Sequence, residues 1–591
     1  MCWVVLFWRL GHTGLIGDEA HYARLTLDMA AAGDWLVPRL GDQAFIDKPV
    51  FFHWVQGLLK AVVPRQELAA RLPSALAAVA LFGLIGWFAA RSGNPQTGRG
   101  AWLMLATLPA TFMLGRTGYM DMLFTVLLFG TVVCCTRTLL TPSRRMQTAA
   151  VVFLALAVLT KGPTAAALVA VWLGVMWLAR GASRQAMAGL RMGTVAMGVA
   201  ALATPWFLWM YFHYGDAFVQ GYFGLGHAGY LAPRASASSS DWTFYARMFM
   251  TSFFPWSFVA VGYGVDTLRR WRRGTPVDPL DVAMWLWIAV VLLVFTMVPF
   301  RVDRYIYPAA PACCVLAVRG WWLASADVRW RKFAATRAAV ALIAVAYAGL
   351  GATLWWSLPR LGLAVPTVVW WLPAVIVSGG LAIAAGVVRS RDGLPRLAGW
   401  PVMTLLAIYA AVAYAGLPLL RTGLPIADVG RFIAKQTVEP EPVAILGLDR
   451  WEEGLGYYLR RSPQRPQDTV EAQSFAQTPG PRWIVTRRKH METAAPGGCL
   501  AMTVPAIVGT TGRGIRTQVW DDILVIRFGT STSYVESGVE TTLARDAEER
   551  QPRRRSADRS TNSPAPTTIA SSITSRAYER PADHADQFCR D

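Results

Sequence analysis

Apolar stretches of about the length of a membrane-spanning helix alternate with short polar breaks along roughly the first 420 residues of this chain. Stretches of spanning or near-spanning length fall at about 73–90, 101–115, 122–136, 149–159, 164–179, 192–212, 246–265, 282–298, 307–323, 338–356, 367–388 and 400–418. With the apolar segment Met1–Trp8 ahead of them they make roughly thirteen, where a spanning helix needs ~20 residues. Met1–Trp8 is about half that length and lacks the basic region and cleavage site of a signal peptide. The expectation is that the chain starts inside its first transmembrane helix, with a longer reading frame upstream. No internal repeat is evident.

Composition supports the pattern. Of the 591 residues 54% are hydrophobic and only 16% charged, which is too apolar for an ordinary soluble chain. The net charge of +20 raises the question of nucleic acid, and the placement of the cations answers it. Arg91/Arg99, Arg137/Arg144/Arg145, Arg180/Arg184/Arg191, Arg269/Arg270/Arg272/Arg273, Arg329/Arg331/Lys332/Arg337 and Arg389/Arg391/Arg396 occupy every second loop. By the positive-inside rule these loops are cytoplasmic, and no nucleic-acid partner is needed to explain the charge. The loops at 11–63, 116–121, 160–163, 213–245, 299–306 and 357–366, and everything after about 420, are then external.

The fold class expected is a polytopic α-helical membrane protein with a small C-terminal α/β extracytoplasmic domain. The transmembrane domain covers 1–419 and includes the external loop 11–63. In that loop Asp18 is placed to cap a helix running to Ala32, which Gly33 ends. Over 420–535, helix-like IADVGRFIAKQ alternates with strand-like PVAILGL, RWIVTRR and DDILVIRF. After that, the polar, basic segment 536–591 is expected to be disordered. The adjacent pairs Cys134/Cys135 and Cys313/Cys314 sit in apolar runs, and the seven cysteines suggest neither a disulfide framework nor a zinc cluster.

The external face gathers the polar residues that are hardest to explain as decoration. Asp18 and Glu19 follow the first span directly, either as a helix cap and first-turn acid or as working carboxylates. Asp47 and Lys48 precede VFFHWVQ, where Lys48 either snorkels beside Trp54 or meets an anion. Arg116 and Asp121 flank GYM and could simply pair. Lys161 lies in a very short turn, and Arg301 and Arg304 open a later span. Cations at an external interface suit a phosphate or pyrophosphate at headgroup level, with lysine as point charge and arginine as fork. The acids beside them suit hydroxyl binding or proton abstraction.

These segments resemble the C-type glycosyltransferases of the protein O-mannosyltransferase class, and especially the bacterial lipid A aminoarabinose transferases. The resemblance rests on GDEAHYARLTLDMAAAGDWLVPRL, FIDKPVFFHWVQ, GYMDM, LTKGP, ATPWF and FRVDRYIYPAAP in that order, over about residues 11–320. It implies a membrane glycosyltransferase with a polyprenyl-phosphate sugar as donor, a lipid A, glycan or protein as acceptor, and an active site on the periplasmic face of the inner membrane. Asp18 would be the essential acid of the first external loop, with Glu19 beside it, and Asp121 the acid of the second. Lys48 and Lys161 would contact the carrier phosphate, aided by Arg301 and Arg304. Asp47 and His227 would bind the donor or a metal, although no cofactor is certain and two ligands do not specify a divalent site. The chain departs from the pattern at His21, where the family has arginine, and at Tyr230, where it has a basic residue. The competing reading is a transporter or flippase of a lipid-linked sugar, which should carry charged groups or broken helices near the midplane.

Overall fold

The computed structural model describes residues 2–178, 189–225, 229, 241–326, 333–357, 370–389, 399–437, 441–448, 451–491, 497–512 and 515–529. It divides into two compact units. The larger comprises Met1–Ala434, Leu448–Pro463 and Pro505–Asp521, and the smaller comprises Lys435–Gly447, Gln464–Val504 and Asp522–Asp591. Leu448–Pro463 thus groups with the larger unit. The segment read as a disordered tail lies outside the described residues.

The larger unit is helical. It begins with α1 (Cys2–Phe7), α2 (Gly17–Ala32), α3 (Phe51–Val62), α4 (Gln66–Ser92), α5 (Pro95–Ala106), α6 (Pro109–Leu114), α7 (Asp121–Leu140), α8 (Arg144–Lys161) and α9 (Thr164–Leu178). Among the described residues six helices are long and apolar enough to cross a membrane, or seven if a bent pair counts as one. They include α4, α7, Pro279–Met297 and Ala334–Ser357, and they make this a multi-pass membrane protein.

Local chemistry sets the helix ends. Asn94 caps α5 in a reciprocal box with Thr97, and Pro95 occupies the first helical turn, where its missing N–H costs nothing. Ser143 caps α8, and Gly162 ends it at φ 92. Two stretches read as single spans are interrupted. The run 101–115 breaks between α5 and α6 because Pro109 disfavours helix in the residue before it. The run 246–265 is two helices, Phe244–Ser252 and Trp256–Arg272, bent by 111°. Pro255, between them, has no amide to donate.

Inside the unit, several buried aromatic polar atoms find backbone partners, as a low-dielectric interior favours. Trp172 Nε1 donates to the Ala283 carbonyl at 3.0 Å, Trp287 Nε1 to Pro308 at 2.9 Å, and Tyr409 to Thr107 at 2.7 Å. Cys134, Cys135, Cys313 and Cys314 are buried and free, whereas Cys499 of the smaller unit is disulfide-bonded.

The loop 11–63 is folded throughout. Gly33 ends α2 in the left-handed conformation at φ 68, as its position suggested. Asp18 does not cap α2. It lies in the first turn, and the capping position falls to Ile16 without a side-chain bond. Beyond α2, β1 (Arg39–Leu40) and β2 (Gln43–Ala44) pair antiparallel across Gly41 at φ 62. The Asp28 carboxylate accepts from the Gly41 amide at 2.8 Å, fixing this hairpin to α2.

In the smaller unit β3 (Val443–Leu446), β4 (Arg482–Arg487), the start of β5 (Cys499–Gly512) and the end of β6 (Ile515–Phe528) make up a sheet of order β3-β4-β6-β5. The runs PVAILGL, RWIVTRR and DDILVIRF supply β3, β4 and the end of β6. β3 runs parallel to β4, and β4 antiparallel to β6 with Arg482 opposite Phe528. Glu441 is buried and accepts from Trp483 Nε1 at 2.5 Å and Arg527 at 2.8 Å, so the buried charge is paired.

Candidate active site

Three helix ends and one short helical turn bring the polar residues of the external segments together. Asp121 opens α7, and Lys161 is the last residue of α8. A carboxylate in a first turn and an ammonium in a last turn both complement the helix dipole, so the two elements hold opposite charges facing each other. Lys161 Nζ lies 2.5 Å from Asp121 Oδ1. The 3₁₀ turn Asp303–Ala309 supplies Arg304, whose Nε is 3.2 Å from Asp121 Oδ2 and whose other arm pairs with Asp18. The cluster thus runs Lys161, Asp121, Arg304, Asp18.

Its two carboxylates differ in setting. The Asp121 side chain is 5% exposed and engaged by two cations, while that of Asp18 is 48% exposed. Aromatic faces enclose the cations. Lys161 Nζ is 4.5 Å from the Tyr305 ring centroid, and the Arg304 guanidinium lies 4.8 Å from that of Tyr119. Burial works against the charge of Arg304, but Asp121 and Asp18 more than offset it and raise its pKa above the ordinary arginine value. Burial also pushes the Tyr119 hydroxyl up to about 12, with Glu19 adding to the effect.

Asp47 and Lys48 pair at 2.6 Å, and the charge of Lys48 bears on Lys161. Asp47 Oδ1 is buried and has no hydrogen-bond partner among the described residues. The same holds for two guanidinium nitrogens of Arg301. Buried polar atoms without a partner are exceptions in a folded protein. His21 stands edge-on to Phe45 at 4.8 Å, and burial holds its imidazole below the ordinary value against the pull of Asp18 and Asp47.

Two residues take other places than their sequence neighbours suggest. Glu19 is buried, with its carboxylate bound by Arg71 at 2.5 and 3.0 Å and by the Gly118 amide at 2.9 Å. Arg71 spends its remaining N–H groups on the carbonyls of Leu10, Thr13 and Gly14. This geometry makes Glu19 a tie between α2, α4 and the segment before α7. Arg116 does not pair with Asp121. It donates to the carbonyls of Val5, Leu6 and Trp8 and so satisfies the end of α1.

His227 and Tyr230 lie outside the described residues. Among those described, no group of three or more His, Cys, Asp or Glu is placed to hold a metal ion. The sequence reading missed Arg71 because it opens an apolar helix, and it missed Tyr22, Tyr119 and Tyr305, whose rings wall the cluster.

Apolar helices around a charged cluster at their ends define a membrane-embedded protein with a polar site at one edge. Residues 47–209 match the family described as dolichyl-phosphate-mannose-protein mannosyltransferase. An undecaprenyl phosphate-alpha-4-amino-4-deoxy-L-arabinose arabinosyl transferase from Shewanella sediminis is 27% identical over 321 residues, covering 51% of this chain and 54% of that protein. One of the same name from Pseudomonas aeruginosa is 31% identical over 316 residues, with 51% and 54% covered. The chain spans about half the length of the curated relatives it matches. The crystal structure of ArnT from Cupriavidus metallidurans bound to undecaprenyl phosphate superposes with a TM-score of 0.66 at 19% identity, covering 89% of this chain and 96% of that one. The two share a fold. Over these stretches the chain is similar to mannosyl- and aminoarabinosyl transferases of the membrane.

Proposed function

We propose that the protein transfers a sugar from a polyprenyl-phosphate donor to a lipid A, glycan or protein acceptor, on the periplasmic face of the inner membrane. The observation that carries this reading is the junction of Lys161, Asp121, Arg304 and Asp18 at helix ends. The names of the relatives, which specify undecaprenyl phosphate and a pentose, agree with it. The orientation rests on the arginine-rich alternate loops, and with it about thirteen spans, the shorter apolar helices included.

In the reaction the acceptor attacks the anomeric carbon, and the bond to the phosphate oxygen breaks with its electrons on that oxygen. Lys161, Lys48, Arg304 and Arg301 stabilise the charge that the departing phosphate gathers. Asp121 holds Lys161 and Arg304 at fixed positions before the donor arrives, which is preorganisation rather than proton transfer. Asp18, half-exposed at the rim, faces the acceptor. For a hydroxyl acceptor it removes the proton, a role worth about 10²–10⁴-fold. For a phosphate acceptor the nucleophile is already ionised, and Asp18 orients it. The unpaired oxygen of Asp47 takes a sugar hydroxyl or amine. A divalent metal bound through Asp47 and His227 would screen the donor phosphate, but one described ligand carries no mechanistic step.

The test is turnover by purified protein in detergent with a panel of polyprenyl-phosphate sugars and with lipid A or a periplasmic extract. Release of free polyprenyl phosphate together with a labelled acceptor supports transfer. Donor binding without turnover for every pair, combined with donor movement across vesicles, would replace it with the flippase reading.

A further inference from the structure

A polar cavity of about 280 Å³ opens in the larger unit, lined by none of the charged residues of the cluster just described. One wall is the segment Gly11–Gly14 between α1 and α2. The others are the start of α4, with Arg65 and Glu67, and the stretch that carries Arg421, Asp428 and Arg431. Arg431 and Tyr458 are both engaged by Glu67, which neutralises that pair. No carboxylate lies in ion-pair reach of Arg65 or Arg421 among the described residues, and both are exposed at the rim. Arg9 adds a further cation nearby. Burial, and after it the charges of Arg421 and Arg9, hold the His12 imidazole below its ordinary value.

The wall is rigid. Arg71 grips the carbonyls of Leu10, Thr13 and Gly14. A Cβ on Gly11 would lie 3.0 Å from Leu68, and one on Gly14 would lie 3.1 Å from the Ala427 methyl. The same segment leads directly into α2. Asp18 lies four positions on from Gly14, and four residues of chain reach at most about 14 Å. A group held against Gly14 is therefore within one small-glycan length of the Asp18 carboxylate.

We propose that this cavity is a second anion site, which takes a phosphate of the membrane-anchored acceptor through Arg65 and Arg421 while the acceptor's reacting end lies at Asp18. Guanidinium forks match phosphate oxygens in pairs, and a net positive polar cavity beside an apolar helix bundle suits a headgroup rather than an acyl chain. The assignment rests on the transferase reading for the word acceptor, and on the cavity alone for the anion.

The experiment is a donor-free binding titration of the full-length protein in detergent, with inorganic phosphate in one arm and lipid A in the other. Wild type is compared with the Arg65→Gln/Arg421→Gln and Arg65→Lys/Arg421→Lys pairs, with melting curves to verify folding. The expected result is that phosphate competes with lipid A, that the glutamine pair loses about tenfold or more of lipid A affinity, and that the lysine pair recovers part of it. Undecaprenyl phosphate affinity stays at the wild-type value. Equal lipid A binding by wild type and a folded glutamine pair overturns the site. Binding of inorganic phosphate without any binding of lipid A overturns the acceptor assignment. Because no turnover enters the readout, failure of transfer and failure of this site are distinguishable.

Discussion

Lys161 Nζ and Asp121 Oδ1 meet at 2.5 Å, one at the last residue of α8 and the other at the first of α7. Neither charge is placed by a flexible loop, and each sits where its own helix dipole favours it. The pair is the fixed point of the site, since Arg304 attaches to it through Asp121 and Asp18 through Arg304.

If the pair preorganises a cation for the departing phosphate, Lys161→Met removes a transition-state contact. The expected outcome is a fall in kcat of about 10²–10³-fold, the scale of deleting one electrostatic stabiliser. Asp121→Asn should give a smaller fall and a raised KM for donor, because Lys161 and Arg304 remain but lose their anchor. Steady-state kinetics with saturating acceptor checks both, and an unchanged kcat for Lys161→Met would remove it from the mechanism.

Arg301 carries two buried N–H groups without a partner among the described residues. Donor binding should fill them, so Arg301→Gln is expected to raise the dissociation constant for undecaprenyl phosphate by about tenfold or more. Calorimetric titration of the two proteins reads this directly.

Glu19 and Arg71 tie α2 to α4, and a loss of stability distinguishes their removal from a loss of catalysis. Arg71→Met leaves a buried carboxylate unpaired, at a cost of about 3–5 kcal/mol. Its melting temperature should drop sharply, and activity should be lost in proportion to fold. Asp18→Asn, at a half-exposed side chain, should melt with wild type. Thermal denaturation of the purified variants distinguishes the two acids that the sequence sets side by side.

His53 is fully buried, with Nδ1 2.9 Å from Thr26 Oγ1, and burial together with the charge of His21 holds its pKa at about 3 against an ordinary value of 6.5. The unfolded chain therefore binds a proton below 6.5 that the folded chain refuses until about 3. Stability from this group is complete above 6.5 and is lost progressively as pH falls through that window. The melting temperature should decline between about pH 7 and about pH 5, and His53→Gln should flatten the decline. An identical slope in the variant would assign the acid sensitivity to other groups.

Much of the site was legible because it lies at the ends of apolar stretches. Asp18, Lys48, Asp121, Lys161 and Arg304 each interrupt hydrophobic sequence, and the alternation of basic loops puts them on one face. The Gly33 helix end was readable for the same local reason, since only a left-handed residue stops α2 there. What could not be read are partners far apart in the chain. Arg71 and Glu19 are separated by 52 residues, and nothing in the start of α4 marks its arginine as the acid's partner. Arg116 sits five residues before Asp121 in sequence but is drawn to carbonyls of α1 by the dipole at that helix end. The break at Pro255 was missed because an apolar run flanks the proline on both sides.

The most direct test of the central claim is Asp18→Asn assayed for sugar transfer from polyprenyl phosphate alongside donor binding and melting. The account predicts folded protein, donor affinity near wild type and transfer reduced by about 10²–10⁴-fold for a hydroxyl acceptor. Transfer at the wild-type rate in a folded Asp18→Asn protein would contradict it.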